Sequence, residues 1–160
     1  MAQLHSLAAA AYLPYVPRIG RPPAPLSADY AAIVARGEAS VAVRAGQIVG
    51  MIVLVAQADH LLLENVAVLP AEQGRGVGTR LLEFADARAR ELGLPAIRLY
   101  TNEAMTENLA YYPRHGYVET HRATEHGLRR VYFIKLQLSA GQHLGQGGLD
   151  RGERPGDVAD

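Results

Sequence analysis

Residues 61–93 read LLLENVAVLPAEQGRGVGTRLLEFADARARELG, and this stretch decides the fold. The apolar run over residues 61–69 predicts a buried strand, and apolar residues at spacings of three and four over residues 79–92 predict an amphipathic helix. Between them lies the glycine-rich loop 73–79, QGRGVGT. A strand, a glycine loop and a helix N-terminus in this order bring unpaired backbone N–H groups and the positive end of a helix dipole to one place. The stretch therefore predicts a binding site for a phosphate or pyrophosphate.

Residues 73–79 match two known nucleotide-binding motifs, the P-loop and the dinucleotide fingerprint, less well. A P-loop needs Lys followed by Ser or Thr after its last glycine, whereas Gly78 is followed by Thr79 and Arg80. The dinucleotide fingerprint has its third glycine three residues after the second. Here Gly78 follows Gly76 by only two residues. The loop therefore disfavours an NTPase and a dinucleotide-binding domain.

Three motifs occur in a fixed order along the chain. The strand ends in residues 66–70, VAVLP; the loop has Gln73, Gly76 and Gly78; and residues 112–117, YPRHGY, place a tyrosine four residues before a Gly-aromatic pair. In this order and spacing the chain resembles the GNAT family of acyl-CoA-dependent N-acetyltransferases. The resemblance extends from about residue 38 to about residue 138.

The resemblance implies an α/β fold, in which flanking helices cover a central twisted mixed sheet with two splayed parallel strands. Those two strands are expected at residues 61–69 and 96–101, with a slot between them for the pantetheine arm. Hydrophobic periodicity predicts the other elements. They are helices over residues 8–15, 28–35, 79–92 and 105–114, and strands over residues 39–44, 48–56, 117–123 and 129–138.

Local signals set the expected ends of these elements. Ser27 is the predicted N-cap of the helix over residues 28–35, and the prolines between residues 14 and 25 predict an irregular loop. GNAT domains normally begin with a strand, and nothing before Leu7 reads as one. The first family strand is therefore expected to be missing from the domain 1–138. Either the encoded start is late, or the sheet has lost an edge strand and exposes its neighbour, in which case a homodimer formed through that edge is one expected remedy.

The resemblance also implies acetyl-CoA as the cosubstrate. Backbone groups of the strand would pair with pantetheine and thioester, and the loop would hold the pyrophosphate. Arg75 either adds charge to the phosphate site or is simply solvated. Asn108 stands in for the asparagine that many relatives have at the position of Met105. The predicted cosubstrate-binding residues are Val66, Ala67, Val68, Gln73, Gly74, Arg75, Gly76, Val77, Gly78, Thr79, Asn108 and Tyr112.

Tyr112 occupies the position at which family members have their proton donor. A phenol, with a reference pKa of about 10, is protonated at neutral pH and can donate a proton to a departing thiolate. The alternative is an aromatic packing residue, like the neighbouring Tyr111. Pro113 is expected to kink the helix or shorten the turn after Tyr112, because it lacks a backbone N–H.

Glu64 is the candidate general base. It interrupts an otherwise apolar strand, where a carboxylate needs a partner or a wet cavity. It would line the slot between the splayed strands; the alternative is a structural ion pair with one of the arginines. Some relatives have their catalytic carboxylate at the position of Tyr100, so the base stays open.

Composition excludes several classes of protein. The chain has 160 residues, no cysteine and a formal net charge of zero, which suits one domain without disulfides and disfavours a general nucleic-acid binder. The sequence contains no run of about 18 uncharged apolar residues, so it predicts no membrane-spanning helix. No Lys or Arg precedes Arg18, which argues against a signal peptide and favours a cytoplasmic protein. The histidines have no spacing typical of a metal site.

The sequence thus predicts an N-acetyltransferase that transfers an acetyl group from acetyl-CoA to a primary amine by direct attack in a ternary complex. The alternatives are a GNAT-like module that binds acyl-CoA as a sensor or partner without turnover, and a purely structural or interaction domain. Nothing in the sequence identifies the amine.

Residues 139–160 differ in composition from the rest, with many Gly, Gln, Asp, Glu and Arg residues and few large apolar ones. Such a segment is expected to be a disordered tail, because it cannot offset its own ordering entropy. Deleting residues 139–160 should therefore leave the melting temperature and acetyl-CoA binding nearly unchanged. A large fall in melting temperature after the deletion would show that this segment packs on the domain.

Overall fold

The computed structural model describes residues 2–138, and the predictions for residues 139–160 lie outside the described residues. The chain forms a mixed six-stranded sheet in the order β1-β2-β3-β4-β6-β5. The strands are Ala39–Arg44 (β1), Gln47–Ala56 (β2), Leu61–Val68 (β3), Ala96–Asn102 (β4), Val118–Glu125 (β5) and Leu128–Leu136 (β6). The α-helices are Ala2–Tyr12 (α1), Val16–Ile19 (α2), Tyr30–Ala35 (α3), Val77–Glu91 (α4) and Thr106–Arg114 (α5).

Helices cover both faces of the sheet. Leu4 and Leu7 of α1 and Ile33 of α3 pack on one face, in a core with Met51 of β2. Helices α4 and α5 supply the core on the other face, where Leu82 and the other buried residues of α4 meet β2, β3, β4 and β6. The predicted α/β architecture of a mixed sheet between helices is confirmed.

The N-terminal region is more helical than the sequence predicted. Helix α1 already begins at Ala2, and two short 3₁₀ turns and helix α2 occupy much of the proline-rich segment that was expected to be irregular. Prolines at the first positions of these short turns fit, because the missing N–H has no helical partner there. The N-cap of α3 is Asp29, whose Oδ1 accepts from the backbone N–H of Ala32, and not Ser27.

No strand precedes α1 within residues 2–138, and β1 pairs with β2 alone. The sheet of the described part of the chain therefore has β1 as one edge. None of the described helices is both long and apolar enough to cross a membrane. The described residues also contain no cluster of three His, Asp or Glu side chains that could hold a metal ion.

Strand β3 contains a bulge at Glu64. In the antiparallel pairing with β2, Leu63 lies opposite Leu54 and Asn65 lies opposite Val53, so Glu64 is an extra residue without a partner. An extra residue shifts the alternation of a strand and bends it. Leu63 consequently packs on the α4 side of the sheet, whereas Ala67 packs on the α1 side, although both would share a face in a regular strand.

The bend in β3 coincides with its separation from β4. The two strands are parallel and pair only at Leu61 with Ile97 and at Leu62 with Arg98. Beyond these residues the strands run apart, which agrees with the predicted pair of splayed parallel strands.

Helix α4 lies close against β2 at Gly50. A Cβ atom built on Gly50 would lie 2.9 Å from Cγ1 of Val77, 3.1 Å from Cδ1 of Leu81 and 3.3 Å from the carbonyl oxygen of Ala67. Only a glycine allows the helix N-terminus to approach the sheet so closely.

We expect Gly50→Ala to destabilise the protein by about 1–3 kcal/mol, because the added methyl group overpacks this contact. Urea unfolding would measure the change. The Val77→Ala background provides the control, since it removes the atom nearest to the new Cβ. Gly50→Ala should cost less there than in the wild-type background. Equal costs in both backgrounds would contradict the proposed contact.

Candidate active site

The loop after β3 has the backbone geometry of an anion-binding site. Gly74 and Gly76 adopt φ values of +78° and +85°, which side-chain-bearing residues rarely do. The first helical hydrogen bond of α4 runs from the N–H of Arg80 to the carbonyl of Gly76. Within residues 2–138 no carbonyl accepts a hydrogen bond from the backbone N–H groups of residues 74–79. These amides are therefore free to bind an anion at the positive end of the 15-residue helix α4.

Two side-chain contacts fasten this loop. Nε2 of Gln73 donates to the carbonyl of Val68 over 3.3 Å, which folds the loop back on the end of β3. The hydroxyl of Tyr111 on α5 lies against Gly78, where a Cβ atom would be 2.5 Å from its oxygen, and it also interacts with Thr79. Gly78 is therefore required for close packing, whereas Gly74 and Gly76 are required for their backbone conformation.

Arg75 extends from the loop into solvent. Its side chain is 60% exposed, and its Nη1 lies 4.0 Å from Oε2 of Glu72. Glu72 also lies 3.4 Å from Nε of Arg44. This exposed position leaves Arg75 free to approach a phosphate at the loop.

Backbone groups of β3 point into the gap between β3 and β4. The N–H of Leu69 donates to the carbonyl of Val49, so this pair of residues is hydrogen-bonded between β2 and β3. Because hydrogen-bonded and non-hydrogen-bonded pairs alternate, the N–H and C=O groups of Val66 and Val68 face away from β2. Those of Ala67 face β2, and its side chain lies in the core. The gap is thus lined by main-chain groups of two of the three predicted strand residues. Within the described residues their N–H groups are unpaired, whereas the carbonyls of Val66 and Val68 accept from the side chains of Tyr12 and Gln73.

A cavity of about 160 Å³ opens at the gap. The N-terminal segment, β3, β4, α5 and β6 all contribute to its walls. It brings together four residues that the sequence singled out as catalytic or cosubstrate-binding: Glu64, Val66, Asn108 and Tyr112.

Tyr112 lies in this cavity at the end of α5 and is 5% exposed. Burial, and to a lesser degree the neighbouring Tyr111, raises the pKa of the Tyr112 phenol well above its ordinary value. Within the described residues its hydroxyl donates to no protein acceptor. Pro113 falls in the last turn of α5, which ends one residue later, so it shortens the helix without turning Tyr112 out of the core. The phenol stays protonated and is available to an acceptor in the cavity.

Glu64 lies in the cavity wall and is exposed. Within residues 2–138 none of the basic side chains lies within salt-bridge distance of it, so the described arginines do not form the alternative structural ion pair. Its position at the bulge takes the carboxylate out of the apolar alternation of β3 and into an exposed part of the cavity wall.

Asn108 and Met105 join the start of α5 to the end of β4. Nδ2 of Asn108 donates to Oγ1 of Thr101 over 3.1 Å, and Sδ of Met105 lies 3.7 Å from the same oxygen. Asn108 lines the cavity while its Nδ2 makes this contact, and no described residue donates a hydrogen bond to its Oδ1.

Sequence reasoning missed a buried polar network behind the cavity. Asn65 is 6% exposed, and its Oδ1 lies 2.5 Å from the hydroxyl of Tyr12, which also lies 2.9 Å from the carbonyl of Val66. Nδ2 of Asn65 donates to the hydroxyl of Tyr30, which donates to the carbonyl of Pro25. A polar residue beside Glu64 in an apolar strand was the signal that could have revealed it.

This geometry agrees with comparisons to known proteins. The acetyltransferase (GNAT) domain family matches residues 35–119. An aminoalkylphosphonate N-acetyltransferase of Salmonella typhimurium is 34% identical over 88 residues, which are 51% of this chain and 56% of that protein. A mycothiol acetyltransferase of Jonesia denitrificans is 36% identical over 78 residues, 48% of this chain and 25% of that protein. The chain thus spans about half or less of the length of these curated relatives.

Solved structures share the fold. The ribosomal-protein-S18-alanine N-acetyltransferase of Escherichia coli superposes with a TM-score of 0.70 at 18% identity, over 89% of this chain and 91% of that one. The PaiA N-acetyltransferase of Thermoplasma acidophilum, in complex with coenzyme A, gives a TM-score of 0.54 at 20% identity, over 60% of this chain and 58% of that one. The family match covers more than half of the residues, the mixed sheet opens between β3 and β4, and a glycine loop lies at the start of α4. This chain therefore belongs to the GNAT acetyltransferase family.

Proposed function

We propose that this chain is an N-acetyltransferase that transfers an acetyl group from acetyl-CoA to a primary amine by direct attack in a ternary complex. The observation that carries the proposal is the cavity at the gap between β3 and β4, whose wall contains Tyr112, Glu64 and Val66 with its unpaired main-chain N–H. A thioester held along β3 would place its carbonyl carbon in this cavity. An amine entering from the opposite side would meet it there.

The cosubstrate would be held mainly by backbone groups. The amides of residues 74–79 suit the pyrophosphate, with Arg75 adding charge, and Val66 and Val68 present main-chain groups for the pantetheine arm. Asn108 would add a side-chain contact from α5. Loop and strand are contiguous in the chain, so one stretch of about fourteen residues would bind most of the cosubstrate.

The chemistry requires positioning and two proton movements. A C–N bond forms between the amine nitrogen and the acetyl carbon, and the C–S bond of the thioester breaks. Tyr112 donates its phenol proton to the departing sulfur, and Glu64 accepts the proton that the amine loses, directly or through water. Main-chain N–H groups in the gap stabilise the negative charge that develops on the carbonyl oxygen.

The name of one curated relative supports an amine as the acceptor. One relative is named for aminoalkylphosphonates and the other for mycothiol, and both are acetyltransferases. Amines of the first kind are reasonable first substrates to test on this chain. A module that binds acyl-CoA without turnover remains the alternative, and it would show cosubstrate binding but no acceptor-dependent release of CoA.

We expect acetyl-CoA to stabilise the wild-type protein by about 2.7 kcal/mol at 100 times its Kd, and Gly76→Glu to abolish this stabilisation. The substitution places bulk and negative charge beside the amides that would bind the pyrophosphate. Thermal unfolding with and without acetyl-CoA measures both effects.

Gly37→Glu is the matched control for this experiment. Gly37 also has a positive φ, of +71°, and open space at its Cβ position, but it follows α3 outside the loop. Both variants therefore carry similar backbone strain, and only Gly76→Glu should lose the response to acetyl-CoA. Equal responses in the wild type and Gly76→Glu would contradict a pyrophosphate site at the loop.

We expect Tyr112→Phe to lower kcat by at least about 10²-fold with little change in acetyl-CoA affinity, because it removes the proton donor and keeps the ring. Thiolate is a good leaving group, so the loss should lie near the bottom of the range for general acid catalysis. Since burial raises the pKa of Tyr112, its ionisation should not reduce wild-type kcat below about pH 10, the reference value of a phenol.

Tyr117→Phe is the control for loss of a buried hydroxyl. The Tyr117 ring lies 5.6 Å from that of Tyr112, and its buried hydroxyl has no hydrogen-bond partner within the described residues. This variant should keep wild-type kcat. If Tyr112→Phe also stays within about twofold of wild type, well under the 10²-fold floor, Tyr112 is a packing residue and the proton comes from elsewhere.

A further inference from the structure

The cavity at the gap between β3 and β4 has two charged side chains in its wall, of opposite sign. They are Glu64 on β3 and Arg130 on β6, and the remaining described residues around the cavity are apolar or uncharged. Glu64 is accounted for by the proposed proton transfer. Arg130 has no part in that chemistry, so its position in an otherwise uncharged wall requires another explanation.

Neighbouring side chains hold the guanidinium of Arg130 in place. Its Cζ atom lies 4.4 Å from the centre of the Tyr100 ring, and its Nη1 lies 2.7 Å from Oε2 of Glu125. The other carboxylate oxygen of Glu125 accepts a hydrogen bond from the hydroxyl of Tyr132. The Arg130 side chain is 19% exposed. The group is thus oriented before any ligand binds.

This arrangement leaves donors of Arg130 for a ligand. A guanidinium has five N–H donors in a planar fork; the contact with Glu125 engages Nη1, and the hydroxyl of Tyr132 is a second polar neighbour. Glu125 is the one carboxylate within salt-bridge distance of Arg130 among residues 2–138. A planar fork at the wall of a cavity is suited to bind the paired oxygens of a carboxylate, phosphonate or sulfonate.

The other arginines near the cavity are engaged elsewhere. Nη1 of Arg18 lies 2.9 Å from both carboxylate oxygens of Glu107 on α5. Arg21 donates to the carbonyl of His126 in the turn between β5 and β6. These two contacts fasten the segment between α1 and α3 across the cavity. Among the described residues, Arg130 is then the cationic residue that lines the cavity.

The size of the cavity limits the acceptor. About 160 Å³ is close to the volume of an engineered protein cavity of about 150 Å³ that binds benzene, a molecule of about six non-hydrogen atoms. The fastened N-terminal segment restricts larger acceptors. A cavity of this size with both Glu64 and Arg130 in its wall is suited to a small acceptor.

We propose that the acceptor is a small primary amine that also carries an anionic group, and that Arg130 determines this specificity by binding the anion. The inference rests on the proposed acetyl transfer and names the substrate class for it. The amine faces Glu64 and the thioester, the anionic group lies on the guanidinium of Arg130, and the product is the N-acetyl derivative with its anionic group unchanged.

The test compares acceptors that differ in charge but hardly in size. Initial rates of CoA release are measured with β-alanine and with its uncharged amide, β-alaninamide, and then with 2-aminoethylphosphonate as a second anion. A charge-assisted contact predicts a kcat/KM about 10- to 100-fold higher for β-alanine than for the amide. Equal values for the acid and the amide in the wild type would overturn the proposal.

Variants assign the discrimination to one side chain. Arg130→Gln should raise KM for β-alanine at least about tenfold and change kcat/KM for β-alaninamide less than about threefold. Arg130→Lys keeps the positive charge but lacks the planar fork. Its KM for β-alanine should therefore lie between those of the wild type and Arg130→Gln. Arg129→Gln is the matched control, because Arg129 is the next residue, is 78% exposed and pairs with Glu103 at 3.7 Å. It should leave both substrates unchanged.

Binding separates failure of this proposal from failure of the proposed function. β-Alanine is titrated by calorimetry into the protein saturated with CoA. Binding that is lost in Arg130→Gln but kept in Arg129→Gln supports an anion site even if no amine is acetylated. Absence of β-alanine binding, or an equal loss of both acceptors in Arg130→Gln, overturns the proposal. A protein that fails to bind acetyl-CoA contradicts the proposed function instead.

Discussion

Strand β3 carries one residue more than its pairing with β2 accommodates, and that residue is Glu64. The bulge reverses which side chains of β3 face each layer of helices, and it coincides with the end of pairing between β3 and β4. The main-chain groups of Val66 and Val68 then have no strand partner. A sheet that paired completely at this place would leave no gap, no cavity and no free backbone donors. The cavity and the free main-chain donors of β3 depend on this interruption.

Helix α4 is held at the end of β3 by close approaches that only glycines permit. Gly50 lets the first turn of α4 lie on β2, and Gly78 lets the Tyr111 hydroxyl lie on the same turn. Tyr111 and Tyr112 are consecutive on α5, and the second of them lines the cavity. Helix α5 therefore joins the loop that would bind pyrophosphate to the place where acetyl transfer would occur, so a shift of α5 would disturb both.

The N-terminal segment completes the cavity from the other side. Tyr12 reaches the carbonyl of Val66, and Asn65 links Tyr12 to Tyr30 through buried hydrogen bonds. Buried polar groups of this kind are costly unless each is paired, so the network sets a single position for the segment. Arg18 and Arg21 add contacts to α5 and to the turn after β5. This wall of the cavity is thus built largely from residues before residue 35, where the family match begins.

The sequence by itself determined the order of strands and helices after residue 38, the glycine loop and the family, because hydrophobic periodicity and glycine spacing are local properties. The resemblance to the family also implied the splayed strands, which the pairing of β3 with β4 confirms, and it directed attention to Tyr112, which lines the cavity. Only the tertiary structure decided that Glu64 occupies a bulge, that Asp29 caps α3 in place of Ser27, and that Gly50 supports α4. It alone placed Arg130 beside Tyr100 and Glu125 at the cavity. These features depend on one extra residue relative to a partner strand, or on contacts between residues far apart in the chain, and neither leaves a periodic signal in the sequence.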